Sequence, residues 1–124
     1  MKNLFILLVI LTITLTGCSF LVDPVTRAQS LIKDGKFPGA ISILEKEYKA
    51  KPDSVPIKSI LARTYSDYGL ALCQDEDKLP KVKYKMAKEQ FAMALALNPY
   101  LTDAKEMYEL IEKIQTSFTA NKLD

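Results

Sequence analysis

Apolar side chains recur every three or four residues along most of the chain after residue 24, the period of one face of an α-helix. The clearest stretch spans about residues 80–97. There Tyr84, Ala87, Phe91, Ala94 and Leu95 form the stripe, with Lys85, Lys88, Glu89 and Gln90 between them. Two stripe positions are Ala, and a small side chain on a buried stripe lets a neighbouring backbone come close. Asn98-Pro99 then ends the helix sharply. Upstream, Val25, Ala28, Leu31 and Ile32 predict a helix from Pro24 to about Asp34, with Asp23 as N-cap and Gly35 as its stop. A second helix begins near Pro38 and ends before Pro52. A third, over about 54–73, carries Ile57, Ile60, Leu61, Tyr65 and Tyr68 and is capped by Asp53 or Ser54. Its stripe persists through Leu72 past Gly69, a mid-helix glycine whose cost of about 1 kcal/mol packing by Leu70 and Leu72 can offset. The polar stretch Gln74–Leu79 reads as the turn into the 80–97 helix. A last helix, over about 102–118, places Ala104, Met107, Tyr108, Ile111, Ile114 and Phe118 inward as a cap, with Asp103 and Glu106 in its first turn. Residues 119–124 are expected to fray. The pattern therefore predicts an all-α chain of antiparallel helix pairs, stacked as a short solenoid over 24–118.

Two of these helices echo each other. Ala40 to Leu44 repeats the interval from Ala87 to Phe91, and Ala40 to Pro52 covers the same twelve steps as Ala87 to Pro99. Fixed spacing of small, large and proline positions is a repeat signature. It resembles the second helix of a tetratricopeptide (TPR) repeat, and Leu61-Ala62 with Tyr65 resembles the first helix of the next one. The likeness covers roughly residues 24–110. Two features depart from it. Glu47 stands where the family prefers a small residue, and Gly69 and Ala87 lie eighteen positions apart where the family has five, an insertion of thirteen. That insertion is read as two lengthened helices.

Length, charge and missing residue types narrow the chemistry. The chain has 124 residues, suited to one small domain, and a formal net charge of +2 with both signs interspersed. A nucleic-acid partner is not expected, because phosphate binding usually rests on a strong basic excess. The chain has no His, which removes the commonest general base and metal ligand. No glycine-rich phosphate loop, Cys/His metal spacing or nucleophile beside a base is present. Asp75, Glu76 and Asp77 sit in a turn without an evident partner. Neither enzyme activity nor a cofactor or metal is expected.

The N-terminus is a targeting segment. A short positive start, the apolar run Leu4–Leu15 and the sequence Leu15-Thr-Gly-Cys18 resemble a bacterial lipoprotein signal with its lipobox. The resemblance implies removal of residues 1–17, a diacylglycerol on the Cys18 sulfur and a fatty acyl group such as palmitate on its new amino terminus. Residues 18–23 would be a short tether. The other reading is a membrane-spanning helix, since Leu4 to Val22 is 19 residues without a charge. On the lipoprotein reading Ser19 implies the periplasmic face of the outer membrane in a two-membrane bacterium, and the outer face of the plasma membrane otherwise. Cys73 is then left without a disulfide partner and reads as a small buried apolar side chain.

Function is expected to lie on a surface. In TPR proteins the first helices of successive repeats line a concave groove for a peptide or partner helix. The resemblance carries this onto Gln29 and Lys33, onto Ser59, Arg63 and Ser66, and onto Glu106, Leu110 and Lys113. Arg63 is the central candidate, because a guanidinium in a groove can hold a carboxylate bidentately. Lys81, Lys85 and Lys88 share another face, which reads as solvated or as meeting acidic lipid or an acidic partner. The expected role is a membrane-anchored, non-catalytic adaptor for an envelope protein or peptide. Two repeats and a cap make a small stack, which leaves room for a homo-oligomer. The run from Leu61 to Gly69, the acidic turn and the following Lys-rich run also resemble lipoproteins associated with TRAP-type solute transporters. That likeness implies small-ligand handling as the alternative, with a structural envelope role as a third.

Overall fold

A computed structural model describes residues 22–120. Residues 1–21, on which the expected signal, lipidation at Cys18 and the membrane-spanning alternative fall, and residues 121–124 lie outside the described residues. Among those described there are five helices and no strands: α1 (Pro24–Lys33), α2 (Phe37–Ala50), α3 (Val55–Gln74), α4 (Pro80–Leu97) and α5 (Thr102–Ala120). Each packs on the next in chain order through short connections, giving a small all-α stack of the helical-repeat kind, and the longest seam joins α3 to α4. No helix among the described residues is long and apolar enough to cross a membrane.

The helix ends follow the local chemistry of the sequence. Asp23 caps α1 by accepting from the Thr26 amide at 3.1 Å. Gly35 ends it at φ 71°, and the amides of Gly35 and Lys36 donate back to the carbonyls of Ile32 and Leu31 at 3.0 and 2.8 Å. That pair of bonds is a Schellman closure, which needs the left-handed conformation glycine adopts without strain. Ser54, of the two candidates, caps α3 through the Ile57 amide. At the far end α5 continues to Ala120, so Thr119 and Ala120 are helical instead of frayed.

One contiguous core runs through all five helices. Ala28, Ala40, Leu44, Leu61, Tyr65, Leu72, Ala87, Phe91, Ala94, Ala104 and Ile111 are buried in it. Tyr68 stacks on Phe37 with ring centroids 5.7 Å apart. The Tyr65 hydroxyl donates to the Glu45 carboxylate, joining α3 to α2. Burial, together with that negative neighbour, holds the phenol well above its ordinary pKa.

The α3–α4 seam explains the glycine that interrupts α3. Phe91 is the largest fully buried side chain among the described residues, and a Cβ built on Gly69 would lie 2.8 Å from its Cε1 and Cζ atoms. Helical side chains lean toward the N-terminus of their own helix, so the Phe91 ring covers a patch one turn nearer the α3–α4 turn. Ala62, Ser66, Gly69 and Cys73, spaced four, three and four apart, make the matching small-residue face of α3. Gly69 is therefore a close-approach position, more than a tolerated flaw in a helix.

Candidate functional site

The residues assigned to the expected groove divide into two groups. Gln29, Lys33, Ser59, Arg63, Glu106, Leu110 and Lys113 are exposed on α1, α3 and α5. Ser66 is 7% exposed, because it falls on the small-residue face turned toward α4 and has no access to a partner. It is removed from the set. Arg63 makes no ion pair within 4.0 Å among the described residues. Its charge is felt by Asp67 one turn on, where it partly counters the upward pull of desolvation on the carboxyl.

The acidic turn has a structural task. Lys78 pairs with the Asp75 carboxylate, which also accepts from the Asp77 amide at 3.0 Å. Lys83 donates to the Asp75 carbonyl at 3.2 Å, bringing positive charge to the C-terminus of α3, where the helix dipole favours it. The Lys78 hydrogen bond holds the Asp75 carboxyl below its usual range, and the Asp75 carboxylate raises the Lys78 ammonium in return. Asp75 thus has the partners that its sequence neighbourhood did not reveal. Cys73, just before the turn, is half-buried; burial pushes its thiol pKa up against the opposing charge of Lys83. No group of three or more His, Cys, Asp or Glu residues suited to a metal ion occurs among the described residues.

The lysine face of α4 is not uniform. Lys88 is partly buried, bonds Glu112 of α5 at 3.1 Å and lies 4.9 Å from the Tyr108 ring centroid. It is a clasp between α4 and α5, not a solvated side chain. Lys81 and Lys85 are exposed and make no ion pair within 4.0 Å among the described residues.

These two lysines border a concavity that the repeat pattern does not announce. Toward the N-terminus of α4 and the C-terminus of α5 lies a cavity of about 870 Å³. Leu79, just before α4, and Pro80 and Tyr84 on it wall one side, and Ile114 and Phe118 of α5 the other. A second cavity of about 250 Å³, reaching Tyr108 and Ala92, shares Lys85 and Gln115 with the first, so the two form one furrow along the seam. Neither contains Arg63. Phe118 and Leu79 are 71% and 73% exposed. Phe118, expected in the core, thus stands in the wall of an open furrow because no side chain of α4 fills the space beside it. The signal in the sequence was the pairing of Leu79 and Phe118 with two uncompensated lysines, which becomes meaningful only when α4 and α5 are placed side by side.

No protein-family model, curated protein or solved structure matches the chain.

Proposed function

We propose that the chain is a non-catalytic adaptor of the cell envelope, TPR-like in architecture, anchored through lipid on Cys18 and holding a protein partner on its exposed helix faces. The observation that carries this reading is the open end of the stack. Leu110 and Phe118 on α5 are 49% and 71% exposed, and Phe118 lines a furrow of about 870 Å³, where a longer repeat array would place another helix. The sequence-derived line through Gln29, Lys33, Ser59, Arg63, Glu106, Leu110 and Lys113 offers a second exposed surface to the same partner. A transport accessory handling a small ligand would be favoured by a cavity between α3 and α4. There Phe91 lies fully buried against Gly69, whereas the adaptor reading would be favoured by an open groove centred on Arg63, which lines neither cavity.

Crosslinking in native membranes tests the reading. The full chain should capture a discrete partner, Cys18→Ala should lose membrane recovery, and Arg63→Glu should reduce capture about fivefold, equivalent to ~1 kcal/mol, while melting as wild type does. The absence of any captured protein with the wild-type chain would remove the adaptor proposal, and unfolding of the Arg63 variant would make that residue structural.

A further inference from the structure

We infer that the α4–α5 furrow is a docking site for one amphipathic helix of a partner protein, its apolar stripe on the furrow floor and acidic residues on its flank against Lys81 and Lys85. The partner class rests on the adaptor reading; the site and the chemistry rest on the furrow itself.

Three observations select this occupant. The walls are apolar and come from two adjacent helices, Leu79 and Tyr84 on one side and Ile114 and Phe118 on the other, which is the geometry of helix-in-groove recognition. The joined cavities follow α4 from Leu79 to Ala92, a rise of about 20 Å, close to that of a helical segment of three to four turns. The charge is one-sided in the larger cavity, which is lined by Lys81 and Lys85 and by no carboxylate, while the smaller one adds Glu89 and the paired Lys88; the Lys81 and Lys85 ammonium groups are without an ion pair among the described residues. A basic or neutral helix would leave them uncompensated, whereas Glu or Asp on its flank would pair with them at the rim.

Position argues against the anchoring bilayer as occupant. The helices alternate in direction: Leu31 meets Gly39 across the α1–α2 turn, Phe37 meets Tyr68, Lys83 reaches the Asp75 carbonyl across the α3–α4 turn, and Lys88 meets Glu112. The start of α1 therefore lies at the end of the stack opposite the N-terminus of α4. The larger cavity, which spans Leu79 to Lys85, is about 18 Å along the helix from the C-terminal end of α4, the end on the side where α1 starts. Lipid attached at Cys18 would hold the near end of the stack, leaving the larger cavity toward the far end.

The test uses the full chain in nanodiscs of zwitterionic lipid and two fluorescent 18-residue helical peptides. Both carry Leu at helical spacing, one with Glu and the other with Lys on the flanking positions. Anisotropy at moderate salt should show the Glu peptide binding at least about tenfold more tightly than the Lys peptide, a preference that fades as salt is raised. The double variant Lys81→Glu/Lys85→Glu should reverse the preference. Phe118→Ser should weaken the Glu peptide about fivefold or more while leaving the melting temperature near wild type, since the side chain is exposed. Equal binding of the two peptides, no binding of either, or an unchanged preference in the double variant overturns the inference. It is equally overturned if the lysine variants change only association with anionic vesicles, or only a sedimenting dimer, because the occupant is then a lipid surface or a second copy. Native crosslinking that still captures a partner in any of these cases leaves the adaptor reading standing.

Discussion

Phe91→Ala should cost the folded chain about 3–5 kcal/mol, the range seen when a large aromatic side chain is deleted from a close-packed core. The ring is fully buried on the seam that joins α3 to α4 and belongs to the core cluster that also holds Ala104 and Ile111 of α5. Removing it leaves a void that backbones held by two twenty-residue-scale helices cannot readily close. Small domains are stable by about 5–15 kcal/mol in total, and this one is at the small end of domain sizes, so the variant should be largely unfolded at temperatures where wild type is intact. Denaturant titration followed by circular dichroism reads the change as a lower midpoint at nearly unchanged slope. A midpoint indistinguishable from wild type would mean that the stripe of α4 does not face the core.

Gly69→Ala should destabilise by about 1–2 kcal/mol, although helix propensity alone predicts a gain of about 1 kcal/mol. The opposing effect is larger: the new Cβ would stand 2.8 Å from two ring atoms of Phe91, which is 0% exposed and has nowhere to move. Overpacking of that kind costs about 1–3 kcal/mol, sometimes more. A double-mutant cycle isolates the contact. In the Phe91→Ala background the added methyl fills part of the void, so Gly69→Ala should become neutral or stabilising, with a coupling of at least about 1 kcal/mol between the sites. Strict additivity would show that the ring does not lie on Gly69.

Helix positions were legible in the sequence because they depend on nearest neighbours. Asp23, Gly35 and Ser54 determine their caps and stops through bonds within five residues, and the apolar period marks which face turns inward. What was not legible depends on which helix stands opposite. Gly69 reads locally as a small penalty and becomes necessary only when the Phe91 ring is placed over it. Ser66 looks like a polar groove residue until the seam buries it, and Lys88 looks solvated until Glu112 and Tyr108 approach from α5. Phe118 fails in the other direction. It continues the α5 stripe in perfect period, but α4 offers nothing to cover it, and so a residue expected in the core instead lines the furrow that now carries the functional proposal.

The claim beneath all of this is that α3 and α4 form one long, continuously packed pair, closed by Phe91 and joined by the Asp75–Lys78 turn. Amide hydrogen exchange on the full chain measures it directly. The account predicts that amides of residues 62–73 and 84–94 are among the slowest in the molecule, with protection extending through 70–73 and 82–86 up to the turn. Exchange at 70–73 and 82–86 as fast as in an unstructured peptide would contradict it, because the lengthened halves of the two helices would then not be packed together.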